Sequence, residues 1–215
     1  MPSRAVLFDL DGTLADTAPD LAAAVNRMCV EQGHEPLPLE RLRPFASAGA
    51  RGLLQAAFGI KPADAEYAAL RETFLEYYAE RVCERTALFP GIAELLAELE
   101  ARGIAWGIVT NKATRFTGSI VTALGLKPDC VACGDTTPHL KPHPASLLHA
   151  SGQMRIPPTQ CTYLGDDLRD MKAAQAAGMR AIAVEWGYHH PDSGSPGSWQ
   201  AAAVIAHPLE LIPHL

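Results

Sequence analysis

Long apolar runs are missing from this sequence. No segment approaches the roughly 20 consecutive apolar residues that a bilayer-spanning helix needs, so no membrane partner is expected. Runs of lysine or arginine are missing too. With 18 Lys and Arg against 24 Asp and Glu the formal net charge is −6, the wrong sign for a nucleic-acid footprint. An anionic ligand must therefore be attracted by a local positive site, because the overall field repels it. Cysteine is sparse: five residues, an odd count, argue against a disulfide framework. Cys130 and Cys133 form a lone CxxC with no second pair. His139 and His143 lie nearby but flank a proline-rich loop, a poor zinc set. The two thiols are read as reduced and structural. The amino-terminal apolar stretch is too short for a secretory signal and runs straight into acidic residues, so the expected location is the cytoplasm.

What is present is a hydrophobic content of 48%, enough for a real core in 215 residues. That length fits one sizeable domain or a core with a satellite. Ala5–Phe8 is a short apolar run ending at a glycine-bearing turn, the pattern of a buried parallel strand. Further strands are expected at 106–110, 130–133, 161–164, 181–184 and 203–205. Helices are expected between them, at 92–103, 116–124, 144–151 and 168–177. Such alternation predicts an α/β fold, a Rossmann-like parallel sheet covered on both faces. Residues 16–85 break the alternation. They carry helical tracts from Pro19 to Gly33, at 50–58 and at 64–82, and no strand signal. The expected organisation is a catalytic core of residues 1–15 and 86–215 with an inserted all-helical cap of residues 16–85.

The polar residues that directly follow the strands form a pattern. Asp9 and Asp11 follow the first strand, Thr110 and Asn111 the second, Lys141 lies beyond the third, and Asp166, Asp167 and Asp170 follow the fourth. Ligands of parallel sheets bind beyond the carboxyl ends of the strands, so these groups should converge. Taken singly, each has an ordinary explanation as a helix cap, a turn or a solvated charge. Together they place several like charges at one edge, and burying those unpaired is costly. A hard divalent cation such as Mg²⁺ would relieve the repulsion in an oxygen-only cluster.

The phrases Asp9-Leu10-Asp11-Gly12-Thr13, Thr110-Asn111, Lys141 within Leu-Lys-Pro-His-Pro, and Gly165-Asp166-Asp167-Leu168-Arg169-Asp170 stand in one order along the chain. In wording and order they resemble the haloacid dehalogenase superfamily. The helical insertion resembles the cap of its phosphoglycolate phosphatase-like subfamily. The resemblance implies a Mg²⁺-dependent phosphatase acting on a small phosphorylated metabolite. Asp9 would be the nucleophile and form an aspartyl-phosphate, and Asp11 would be the general acid and base. Thr110 and Asn111 would hold the phosphoryl group and Lys141 would neutralise it. Mg²⁺ would sit on Asp9, the backbone carbonyl of Asp11 and Asp166, with Asp170 or Asp167 completing the shell. The presence of Asp11 argues against carbon–halogen chemistry. A sugar-phosphate mutase uses the same pair and stays open, and a binding module without activity is disfavoured because every catalytic position is filled.

Specificity is expected from the cap. Ser47-Ala48-Gly49-Ala50-Arg51-Gly52 is a glycine-bearing loop in which Gly49 and Arg51 are candidate substrate contacts, Arg51 as a fork for a carboxylate. This loop resembles that of phosphoglycolate phosphatases. The segments around Trp106, Trp186 and His207 resemble N-acetylmuramic acid 6-phosphate phosphatases. Both substrates carry a phosphate and a carboxylate, and the phosphoglycolate reading is preferred. A monomer or a homodimer is expected.

Overall fold

A computed structural model of the chain describes residues 3–215. Its main element is a six-stranded sheet built from β1 (Ala5–Phe8), β4 (Ala105–Val109), β5 (Cys130–Ala132), β6 (Cys161–Gly165), β7 (Arg180–Val184) and β8 (Ala203–Ile205). The strand order is β5-β4-β1-β6-β7-β8 and every pairing is parallel. β1 is central, in register with β4 on one side and β6 on the other. The chain winds outward from β1 to one edge, then returns to fill the other. The crevice at this reversal is where parallel sheets bind ligands.

Alternation along β1 builds both faces of the core. Ala5 and Leu7 pack into one apolar cluster with Tyr163, Met171 and Leu147, while Val6 and Phe8 pack into another with Ile92, Leu95 and Ile108. Helices α7 (Ala145–Met154) and α8 (Leu168–Ala176) cover the first face. Helices α5 (Ile92–Ala101) and α6 (Thr114–Ala123) cover the second. Both faces being buried explains why the strands read as continuous apolar runs. The expected strands and helices all appear, with ends shifted by at most three residues.

Between Asp16 and Ala87 the described residues form only helices: α1 (Ala18–Glu31), α2 (Leu39–Leu42), a 3₁₀ segment (Arg43–Ala48), α3 (Gly49–Phe58) and α4 (Tyr67–Glu80). Their apolar faces meet in a cluster containing Val25, Leu53, Leu54, Phe74 and Tyr78, which also takes in Phe116 and Tyr188. One feature was not expected. The two ends of this helical stretch pair as a short antiparallel ribbon, β2 (Ala15–Asp16) with β3 (Ala87–Leu88). The buried Asp20 carboxylate reinforces that junction by accepting from the Arg85 amide at 2.9 Å and from the Thr86 amide at 2.9 Å and hydroxyl at 2.6 Å. No helix among the described residues is long and apolar enough to cross a membrane.

Candidate active site

Four strand ends, those of β1, β4, β5 and β6, bring the predicted residues together. Asp9 follows β1, and its Oδ1 accepts from the Leu10 amide at 2.7 Å and lies 3.0 Å from Lys141 Nζ. Lys141 is buried; its Nζ lies 2.7 Å from Asp170 Oδ1, 2.7 Å from the Tyr163 hydroxyl and 3.1 Å from the Val109 carbonyl. An ammonium has three donors, so this one is fully engaged and its position is fixed by four elements. Burial works against its charge, but Asp170 and Asp9 outweigh that and hold its pKa above the ordinary lysine value.

Asp9, Asp166 and Asp170 each offer a carboxylate oxygen, all within 4.8 Å of one another. Burial, only partly offset by Lys141, pushes Asp9 up to about 7. Burial, with Asp9 close by, does the same to Asp166. A single lysine thus leaves this group short of positive charge, and an all-oxygen set of this kind suits Mg²⁺. Asp166 is held by three donors: Thr13 Oγ1 at 3.0 Å, Ser47 Oγ at 3.1 Å and the Tyr188 amide at 2.9 Å. Gly12 turns beneath it at φ +80°, and a Cβ there would collide with the Asp166 carboxylate. Glycine is thus required at this position both by conformation and by space.

The remaining acids are engaged differently. Asp11 Oδ1 takes Lys112 Nζ at 2.9 Å and the Thr17 hydroxyl. Its carboxylate stands outside the three-carboxylate cluster, as expected if only its backbone carbonyl faces a cation. Asp167 caps α8 through the Arg169 amide and forms a two-pronged pair with the Arg169 guanidinium, both contacts at 2.9 Å. Burial notwithstanding, Arg169 holds Asp167 below the usual carboxylate range. Asp167 is therefore committed to Arg169, and Asp170 is the acid that lies with Asp9 and Asp166.

Thr110 is buried, and its Oγ1 accepts from the Lys112 amide at 3.2 Å. Asn111 spends its side chain on the backbone of Lys141, so it positions the lysine loop. Arg51 is exposed and lines the same cavity as Asp9. Gly49 opens α3 at φ +58° with open space where a Cβ would stand. That cavity, about 520 Å³ and open to solvent, is lined by strand-end residues and by residues of α3, α4 and α6.

Sequence reasoning missed several partners. Thr13 sits inside the first motif and Lys112 directly follows Thr110-Asn111, so their places were legible although their roles were not. Ser47 sits in the quoted glycine-bearing loop, but its contact with Asp166 was not legible, and neither were Tyr163 and Tyr188. Each is an ordinary-looking residue brought to the site from the sheet interior, a distal loop or a cap helix. Cys130 and Cys133 are free and buried, and burial raises the Cys130 thiol to about 12.

Comparison with known proteins follows the same lines. Residues 6–184 match the sequence profile of the haloacid dehalogenase-like hydrolases. The chain is 41% identical to the N-acetylmuramic acid 6-phosphate phosphatase of Pseudomonas aeruginosa, over 99% of this chain and 94% of that protein. It is 44% identical to the phosphoglycolate phosphatase of Xanthomonas campestris pv. campestris, over 97% of this chain and 94% of that protein. A crystal structure described as a predicted phosphoglycolate phosphatase from Haemophilus somnus superposes with a TM-score of 0.84 at 26% identity, covering 99% of this chain and 97% of the other.

Proposed function

Since this chain belongs to the haloacid dehalogenase-like hydrolases, we propose that it is a Mg²⁺-dependent phosphatase of small phosphorylated metabolites in the cytoplasm, with Asp9 as the nucleophile. The observation that carries the reading is the pairing of Asp9 with the buried Lys141 at 3.0 Å beside Asp166 and Asp170. In this account Asp9 attacks phosphorus with the oxygen not held by Leu10 and Lys141. The Asp9–phosphorus bond forms as the bond to the leaving oxygen breaks, and Asp11 gives that oxygen its proton. Lys112 and Thr17 both engage Asp11 Oδ1, which leaves Oδ2 for that transfer. Asp11 then takes a proton from water as the water oxygen attacks phosphorus and the Asp9–phosphorus bond breaks, which releases phosphate and restores the Asp9 carboxylate. Thr110 donates its hydroxyl to a phosphoryl oxygen, and Lys141 offsets the charge on the phosphoryl oxygens.

Asp9, Asp166 and Asp170, with the Asp11 backbone carbonyl, are the ligands that would hold Mg²⁺. When bound it neutralises phosphoryl charge and orients the group for in-line attack. Residues 16–85 act as the cap, and Gly49 and Arg51 contact the substrate's leaving portion. Phosphoglycolate is the first reading of the substrate, from the relatives that carry that name. The cavity volume favours a second. About 520 Å³ lies within the roughly 300–1,000 Å³ typical of drug-sized ligand sites, and a two-carbon phosphate ester leaves most of it empty. N-acetylmuramic acid 6-phosphate, the substrate in the name of another relative, fills more. Phosphate release by the wild-type enzyme from a panel containing both esters, with and without Mg²⁺, tests the function and ranks the substrates. Absence of metal-dependent release from every ester contradicts it.

A further inference from the structure

The cavity above Asp9 holds more positive charge than the chemistry at Asp9 uses. Of the basic residues on its walls, Lys141, Lys112 and Arg169 each face a carboxylate at 3.0 Å or less. Arg51, Arg71 and Arg115 do not. Among the described residues none of their guanidinium groups has an ion-pair or hydrogen-bond partner, and Arg115 only rests over the Phe116 ring at 4.5 Å. The acidic residues on the same walls, Asp9, Asp11, Asp167 and Asp170, are already bound to the first three bases.

Chance does not explain this well in a chain of net charge −6. Two surface arginines elsewhere do have an acid four residues away: Arg27 in α1 has Glu31, and Arg102 at the end of α5 has Glu98. Positions three and four residues to either side of Arg51, Arg71 and Arg115 contain no Asp or Glu at all. Arg51 also lies in the first turn of α3, which has no acid there, whereas the amino terminus of α6 already holds the Asp135 carboxylate on the Thr114 amide. A cation at a helix amino terminus opposes the helix dipole, whereas an anion there is favoured. Arg51 is thus placed at a cost to the empty protein that a bound anion would reverse. Arg51 and Arg71 come from α3 and α4, and Arg115 from α6 beside the sheet, so the cavity receives unpartnered guanidinium groups from both parts of the chain.

Resting on the phosphatase reading above, we propose that the substrate carries a second oxyanion, a carboxylate or a further phosphoryl group, remote from the transferred phosphoryl, and that Arg71 and Arg115 clamp it together with Arg51. A two-sided grip on the far end of the substrate also favours the closed arrangement of cap and core. Binding energy from that end then supports the reaction at Asp9.

The test compares matched esters: N-acetylmuramic acid 6-phosphate with N-acetylglucosamine 6-phosphate, and fructose 1,6-bisphosphate with fructose 6-phosphate, with p-nitrophenyl phosphate as the reference. The wild type should prefer the doubly anionic member of at least one pair, the first identifying a carboxylate and the second a phosphoryl group. Arg71→Ala and Arg115→Ala should each lower kcat/KM for that ester by about tenfold or more, as expected for a lost charged hydrogen bond. Activity on p-nitrophenyl phosphate should stay within about twofold, and Arg71→Lys should recover only part, because lysine lacks the fork. An active enzyme indifferent to the second anion in both pairs overturns this proposal alone, as do variants that lose activity on all esters equally. An enzyme inactive on every ester overturns the phosphatase reading and this one with it.

Discussion

Asn111 holds both backbone groups of Lys141: its Nδ2 donates to the Lys141 carbonyl at 3.0 Å and its Oδ1 accepts from the Lys141 amide at 2.8 Å. The strand end of β4 thereby sets the height at which the loop after β5 delivers its ammonium to Asp9. Asn111→Ala frees that loop. The expected result is a fall in kcat of about tenfold or more, since a small misplacement of a charged group in a site is costly. The change in KM should be much smaller. Steady-state kinetics check this; an unchanged kcat would mean that the other Lys141 contacts suffice.

Lys112 and Thr17 share one oxygen of Asp11. Replacing the ammonium with an isosteric apolar side chain, Lys112→Met, removes the stronger of the two holds and leaves Asp11 free to rotate. We expect kcat to fall more for Lys112→Met than for Thr17→Val. The fall should be larger for a poor leaving group, which needs Asp11 as its acid, than for p-nitrophenolate, which does not. Equal losses on both esters would place Lys112 in phosphate binding instead.

Asp20 is a buried carboxylate whose partners are the amides of Arg85 and Thr86 and the Thr86 hydroxyl. It joins the start of the helical cap to its end. Asp20→Ala strands these donors in the interior. A loss of about 2–4 kcal/mol in unfolding free energy is expected, from hydrogen bonds to a charged group of roughly 1.5–3 kcal/mol each that do not add fully. Urea denaturation measures it, and a loss under about 0.5 kcal/mol, the range of an ordinary surface change, would contradict the assignment.

Chelation should stop turnover while leaving the far-ultraviolet circular dichroism unchanged, because the sheet and its two apolar clusters do not depend on a cation. Adding Mg²⁺ should raise Tm by linkage. Asp166→Asn removes a central ligand and should abolish both effects of Mg²⁺. Persistent activity after rigorous metal removal would contradict the assigned role of the cluster.

Much of this was readable in the chain. Short apolar runs ending in Asp9, Thr110 and Asp166 located β1, β4 and β6, because a strand buried on both faces shows no alternation and stops at a turn. The convergence of Asp9, Lys141, Asp166 and Asp170 followed from parallel topology alone. The ribbon of β2 and β3 was not legible, since two-residue strands leave no periodic signal. Nor were Tyr163 and Tyr188. Tyr163 reads as a core residue in β6, and only the pairing of β6 with β1 brings its hydroxyl to Lys141. Tyr188 accepts at its hydroxyl from the Thr17 and Ala18 amides, a contact across 171 and 170 positions that no local pattern encodes. The commitment of Asp167 to Arg169 was equally hidden. The same four letters that mark a metal-binding motif also spell a helix cap.

The central claim is that Asp9 carries the phosphoryl group, and the most direct measurement is peptide mapping by mass spectrometry after acid quench of enzyme turning over its best ester. The account predicts a phosphoryl adduct on the peptide containing Asp9, chased away by continued turnover and absent in Asp9→Asn, which should remain folded. An adduct on another residue, or an Asp9→Asn enzyme that still releases phosphate at a substantial rate, would contradict it.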